Sequence, residues 1–196
     1  MPPICLATTN QGKLTEFKHN LEPLGYNIFT LAPNYPEVPE TGLTFVENAL
    51  IKARAACKYY KIPTLADDSG ICVPNLDGAP GIYSARYAGT KATAQNNIDL
   101  LLKKMSALKG LDREAYFYCA LVYLRYPNDP CPIVATATWY GMIIEEQQGE
   151  RGFGYDPIFF IPELACTASE LSKQQKNQIS HRGLALKQLT SALANL

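Results

Sequence analysis

Apolar residues recur along the chain in two alternating patterns. PICLA, at residues 3–7, is a short continuous apolar run and predicts a buried strand. In GKLTEFKHNLEPLG, Leu14, Phe17, Leu21 and Leu24 share one helical stripe and Gly25 lies just past its end, so a helix is predicted there. YNIFTLAP predicts a second strand, running into the proline-bearing loop NYPEVPETG. From Leu43 to Tyr60 the positions Leu43, Val46, Ala49, Leu50, Ala53 and Cys57 are spaced as on a second helix. IPTLA predicts a third strand, which stops where Asp67 and Asp68 break the apolar run. GICVPNLDGAPGIYSARYAGT reads as a short strand and loop, followed by a helix from Thr93 to Leu108. EAYFYCALVYLRY and PIVATATWYGMII predict a long hairpin across the turn PNDPC. The stretch 170–196 predicts helix, broken near Ile179 and Ser180. No repeat or linker interrupts this order. The expected fold class is α/β, a single domain over 1–196 with a mixed twisted sheet flanked by helices and loops gathered at the strand ends.

Composition narrows the partners. A chain of 196 residues with 47% apolar content can bury a full-sized core. Eighteen basic residues balance eighteen acidic ones, which leaves no broad basic face for nucleic acid or an anionic membrane, so neither partner is expected. The longest apolar run, AYFYCALVYL, is about half the roughly 20 residues that a membrane-spanning helix needs. No basic segment followed by a long apolar one opens the chain, so no signal peptide is expected and the protein is expected to be cytoplasmic. The six cysteines form no C-x-x-C pair and are expected as free thiols.

Asp67 and Asp68 are the first candidates for chemistry. Adjacent acids repel, and on a strand their side chains point to opposite faces, so different tasks are expected of them. At the carboxyl end of a strand they stand where α/β folds place ligands. Their oxygens suit magnesium, which keeps several waters and bridges to phosphates, so two or three acids suffice. Glu40, in the loop before the second helix, is either a partner ligand or a solvated loop acid. Ser69 and Gly70 offer a hydroxyl and an unobstructed backbone. LATTNQGKL ends on Gly12-Lys13 at a helix start, as phosphate-cradling loops do. The register excludes a Walker A loop, because its first glycine would fall on Ala7 and its magnesium-binding hydroxyl on Leu14. Thr8, Asn10 and Lys13 remain either a triphosphate cradle or an N-cap with a solvated lysine. Thr44 and Glu47 have capping-box spacing. Lys52, one turn further, is a second phosphate candidate or ordinary helix surface. In RGFGYDPIFF, Phe153 between small neighbours either faces a planar base or fills a core, and Asp156 is held extended or in a turn by the proline after it. Lys176, His181 and Arg182 lie at a helix break. Cations at a helix N-terminus oppose its dipole by about 0.3–1 kcal/mol, which points to a ligand.

Five stretches, LATTNQGK, ETGLTFVENALIKA, ADDSGICVPNLDGAPGIYSARYAG, GFGYDPIFF and SHRGLAL, resemble in order and spacing the inosine/xanthosine triphosphate pyrophosphatase family, most closely its bacterial branch. The likeness runs from Ile4 to Leu189. It implies an elongated α/β fold of two lobes with a central nucleotide cleft, a homodimer, and an Mg2+-dependent enzyme. That enzyme would hydrolyse ITP, dITP, XTP and dXTP to the monophosphate and pyrophosphate, keeping deaminated purines out of DNA and RNA. By the same resemblance Thr8, Thr9, Asn10, Gln11, Gly12 and Lys13, with Lys52, would hold the triphosphate. Glu40 and Asp68 would bind magnesium, Asp68 would also be the general base, and Ser69 would touch substrate. Phe153, Gly154, Tyr155, Asp156, Lys176, His181 and Arg182 would hold base and sugar, and Asp67 would orient Asp68 or a metal-bound water. The sequence departs from the family at Thr9, where members often have Gly. Hypoxanthine and xanthine carry an acceptor oxygen where adenine carries an amino donor, and donors aimed at that oxygen discriminate by about 10⁴-fold. Two rivals are a magnesium-dependent nucleotide phosphatase and a nucleotide-binding sensor.

Overall fold

In the computed structural model, which describes residues 3–194, strand β1 (Pro3–Leu6) leads through a short loop into helix α1 (Gln11–Leu21). Asn10 starts the helix, its side chain accepting the Lys13 N–H. The α-helical part ends earlier than the stripe predicts. Pro23 has no N–H to extend the ladder, so a 3-10 turn over Glu22–Leu24 follows, closed by Gly25 at φ 83°. After β2 (Asn27–Thr30) and a long loop, α2 (Phe45–Tyr60) opens with a complete capping box between Thr44 and Glu47, as the spacing predicts. Leu43 is a correction: it precedes the cap and is 85% exposed, so it is no part of the apolar stripe.

The third strand is the larger correction. β3 runs over Thr64–Cys72, so Asp67 and Asp68 lie inside it and are buried. The chain continues through α3 (Ala94–Lys104), β4 (Glu114–Leu124), β5 (Ile133–Ile143), β6 (Phe159–Ile161), β7 (Cys166–Thr167) and α4 (Lys173–Ile179) to α5 (His181–Leu193). The predicted break at Ile179 and Ser180 is the junction of α4 and α5. The prediction of helix to residue 196 extends past the described residues.

The seven strands form one mixed sheet in the order β2-β1-β3-β4-β5-β6-β7. β1 is parallel to both neighbours, with Leu6 aligned to Thr30 of β2 and to Leu65 of β3. β6 is antiparallel to β5 and to β7. The chain divides into two compact units, one of Met1–Asp68, Cys119–Ala137 and Arg182–Leu196, the other of Ser69–Tyr118 and Thr138–His181. The first has a core of Ile4, Leu6, Phe17, Leu21, Leu121 and Leu189. The second is built on Ile71, Leu101, Phe117, Trp139, Ile143 and Phe159. Each of these side chains contributes roughly 1.5–3 kcal/mol by leaving water. The cysteines are free, as expected, with Cys5, Cys57, Cys72 and Cys119 buried. Among the described residues no helix is long and apolar enough to cross a membrane.

β4 and β5 are neighbours in the sheet, and Asp129 fastens the turn that joins them. Its carboxylate accepts from Arg125 Nε at 2.7 Å, Arg125 Nη2 at 2.6 Å and the Cys131 N–H at 3.0 Å. The hydrogen bonds from Arg125 hold Asp129 below the usual carboxylate range, against the opposing effect of burial. A carboxylate depressed in this way lends stability that is present above its unfolded pKa and lost as pH falls through the folded value. In urea unfolding, the midpoint of Asp129→Asn should fall below that of the wild type by the full margin above about pH 5, and the margin should shrink below about pH 4. A margin that ignores pH would remove this account of the turn.

Candidate active site

The order β2-β1-β3 makes the carboxyl ends of β1 and β3 a point where the strand order reverses, and such crevices hold ligands in α/β sheets. The Ala7 N–H still bonds to the Leu65 carbonyl at 2.8 Å, after which β1 gives way to the loop before α1 while β3 continues through Asp67 and Asp68. Consecutive strand residues face opposite ways, and the two acids meet different partners.

Asp67 is the more deeply buried of the two. Its Oδ1 lies 2.8 Å from Lys13 Nζ, and its Oδ2 accepts from Arg182 Nε and Nη2, both at 3.3 Å. Arg182 is held from its other side by Glu16, through Nη1. Asp68 Oδ1 lies 2.8 Å from Lys52 Nζ, and its Oδ2 is 3.4 Å from Asn48 Nδ2. The same Lys52 ammonium donates to Glu40 Oε1 at 2.7 Å. Asn48 and Lys52 sit one turn apart on α2 and so share a face. Asn48 also accepts the Gly42 N–H at 2.8 Å, which ties the loop carrying Glu40 to the helix. A Cβ on Gly42 would stand 2.5 Å from Glu47 Cβ, so this close approach requires glycine.

The adjacent acids are driven apart electrostatically. Burial works against the charge on Asp67, but Lys13 and Arg182 outweigh it and hold the carboxyl below the ordinary range. For Asp68 burial prevails over Lys52, and the carboxyl is raised. Burial also disfavours the Lys52 ammonium, yet Asp68, Asp67 and Glu40 together raise its pKa, so it stays charged. One acid is thus a fixed anion and its neighbour a readier proton acceptor, the division expected when two carboxylates have different tasks.

Three cations, Lys13, Lys52 and Arg182, face four carboxylates, Glu16, Glu40, Asp67 and Asp68. Among the described residues no group of three or more His, Cys, Asp or Glu side chains is arranged to hold a metal. Glu40 and Asp68 nevertheless converge on a single ammonium. Their two hard oxygens and the surplus negative charge fit a small divalent cation, one that takes its remaining ligands from water and phosphate.

In the second unit Ser69, half-buried, follows Asp68 on β3. Gly70 lets the turn Gly81–Arg86 close on that strand: a Cβ there would strike Ser84 Oγ and stand 2.5 Å from the Gly81 carbonyl. Ser84 accepts the Ile71 N–H at 2.9 Å, and its own carbonyl accepts the Tyr155 hydroxyl at 2.8 Å. Asp156 Oδ2 accepts the Phe153 N–H at 2.8 Å and Lys176 Nζ at 2.5 Å. The same ammonium lies 4.8 Å from the centre of the Phe153 ring, a cation–π contact. Gly152 and Gly154 have φ of 79° and 62°, which lets the loop double back on Asp156. His181 stacks on Phe117, with ring centres 4.8 Å apart and planes 8° from parallel.

Several alternatives left open by the sequence are thereby resolved. Lys13 and Lys52 are ion-paired and largely buried rather than solvated, and Glu40 is paired rather than a loose loop acid. Asn10 is indeed the N-cap, and Thr8 Oγ1 accepts its N–H at 3.2 Å. Gln11 Nε2 reaches the Thr9 carbonyl at 3.5 Å, and Gly12 lies in the first turn of α1. Thr9 is not among the residues of positive φ, so the loop accepts a side chain there. Tyr155 is buried, with its hydroxyl bonded to the Ser84 carbonyl. Within the first unit the structure brings together Lys13, Glu40, Lys52, Asp67, Asp68 and Arg182; within the second it joins Phe153, Asp156 and Lys176. Glu16, Asn48 and Ser84 were missed. Asn48 and Lys52, polar residues four apart beside the apolar stripe of α2, were a readable signal; nothing local marked Glu16 or Ser84.

The sequence model described as the Ham1 family matches residues 4–192. A dITP/XTP pyrophosphatase of Vibrio parahaemolyticus is 51% identical over 195 residues, covering 99% of this chain and 98% of that one. The dITP/XTP pyrophosphatase of Escherichia coli K12 is 49% identical over 196 residues, covering 100% of both chains. Among solved structures, a HAM1 protein from Coxiella burnetii superposes with a TM-score of 0.92 at 44% identity, again over 100% of both chains.

The buried Arg182 yields a stability test. Replacing it by methionine leaves Asp67 and Glu16 without their shared cation, which should cost about 3–5 kcal/mol in equilibrium urea unfolding. Glu16→Gln, which keeps a hydrogen-bond acceptor, should cost clearly less. Equal and small losses would mean that the pair contributes little to the fold.

Proposed function

The chain belongs to the Ham1 family, and from that membership we propose that it hydrolyses non-standard purine nucleoside triphosphates, ITP, dITP, XTP and dXTP, to the monophosphate and pyrophosphate. The observation that carries the reading is β3, where two adjacent acids each pair with a lysine, Asp67 with Lys13 and Asp68 with Lys52. Two ammonium groups are at hand for phosphate oxygens, and one carboxyl with a raised pKa is at hand for a proton.

In this mechanism the N–H groups at the start of α1, with Thr8, Thr9, Asn10, Gln11, Gly12 and Lys13, bind the triphosphate. Lys13 and Lys52 stabilise the charge that gathers on the departing pyrophosphate. Asp68 accepts the proton of the water that attacks the α-phosphorus. Asp67 stays charged and fixes Lys13. A magnesium ion held by Glu40 and Asp68 would supply further charge neutralisation on the phosphate oxygens and lower the pKa of bound water. Ser69 contacts the substrate, and Phe153 offers its ring to the purine face. Gly154, Tyr155, Asp156, Lys176, His181 and Arg182 complete the recognition of base and sugar. Donors meeting the oxygen at position 6 would oppose the amino group of adenine. The reading includes a cytoplasmic homodimer and no nucleic-acid or membrane partner, supported by the motif resemblance and the balanced charge.

Incubation with magnesium and ITP, and separately with ATP and GTP, followed by anion-exchange chromatography, tests the reaction. IMP and pyrophosphate are expected from ITP, with ATP and GTP nearly untouched; IDP and phosphate would refute attack at the α-phosphorus. Asp68→Asn should lower kcat on ITP by about 10²–10⁴-fold while ITP still binds. A loss of only a few-fold would remove Asp68 from the role of base.

A further inference from the structure

Lys52 occupies an unusual position for a residue assigned to phosphate. It projects from the middle of α2 and places its ammonium between Glu40 Oε1, at 2.7 Å, and Asp68 Oδ1, at 2.8 Å. Glu40 and Asp68 are also the two carboxylates that would hold a divalent cation. Magnesium binds oxygen at about 2.0–2.1 Å, so an ion on these carboxylates would stand close to the Lys52 ammonium, and the two like charges compete for the pair. Either one neutralises the pair, and without either the two carboxylates repel each other.

We propose that Lys52 is a built-in stand-in for the divalent cation. Its ammonium keeps Glu40 and Asp68 together, yields that place when the metal enters, and is thereby released toward the phosphates that arrive with it. The identity of what receives the released lysine rests on the pyrophosphatase reading; the competition for the carboxylates does not. The surrounding residues suit such an exchange. Asn48 holds the other oxygen of Asp68 and ties the Glu40 loop to α2 through Gly42, so the carboxylates keep their places while a flexible four-carbon side chain moves. Lys13 provides an internal comparison. It carries the same charge in the same unit but contacts Asp67 Oδ1 instead.

The test is a manganese(II) titration of the whole protein, without nucleotide, followed by electron paramagnetic resonance. Lys52→Met should bind Mn2+ about tenfold more tightly than the wild type or better, as expected when two charge-assisted hydrogen bonds no longer compete. Lys13→Met removes an equal charge from the neighbouring acid and should change the affinity by no more than about threefold. Adding Glu40→Gln to Lys52→Met should abolish the gain. Unchanged or weaker binding by Lys52→Met would overturn the proposal, and so would an equal gain in Lys13→Met, which would reduce the effect to overall charge. If Lys52→Met does not fold, the wild type labelled with 15N-lysine serves. The Lys52 Nζ resonance should move as Mg2+ is added, and a resonance indifferent to Mg2+ up to saturation refutes the exchange. Because no nucleotide is present, these outcomes stand apart from the product analysis on ITP, and either reading can fail alone.

Discussion

Two charged carboxylates on neighbouring residues of an interior strand constrain the rest of the first unit. An ionised carboxyl removed from water without a partner costs several kcal/mol, and a second beside it adds repulsion. β3 carries both because three helices deliver cations to it. α1 brings Lys13, α2 brings Lys52, and the first turn of α5 brings Arg182. The pairing is uneven. Asp67 has two cationic partners and is almost sealed from solvent, whereas Asp68 shares one cation with Glu40, and burial dominates its protonation. This asymmetry shifts adjacent residues of one type in opposite directions, one held as an anion and the other more readily protonated.

The second unit solves a related problem with a smaller set. Asp156 gathers a backbone N–H and the Lys176 ammonium on one oxygen, and the same ammonium lies over the Phe153 ring. An aromatic face, a cation and an anion are thus locked to one another by a loop that turns through positive φ at Gly152 and Gly154. Such a group is fixed by its own contacts, so its geometry is set by the fold.

Much of this was legible in the sequence, and the exceptions have physical causes. The capping box of α2 and the break before α5 follow from local rules and lie where the pattern puts them, whereas the apolar stripes overrun α1 at Leu24 and α2 at Leu43. β3 was cut short because a run of acids reads as a strand end in water. The compensating charges come from Lys13, Lys52 and Arg182, all distant in sequence, and no local pattern reveals that they meet there. Glu16 escaped notice for the same reason, its partner being at position 182. The roles given to the motifs came from their joint resemblance to a family. Taken singly, Lys52 or Glu40 was indistinguishable from surface.

The capping of α2 bears on more than the start of a helix. Glu47 accepts the N–H groups of Leu43 and Thr44, and Asn48 accepts that of Gly42, so the segment just after Glu40 is stitched to the helix on which Lys52 rides. The backbone that carries Glu40 is therefore joined to the helix that carries Lys52, and the start of α2 positions one against the other. The spacing of the two backbones, as distinct from that of the mobile Lys52 ammonium, is set by the geometry of a helix start, so it can be retuned from Thr44 and Glu47, which lie outside the acid–lysine cluster.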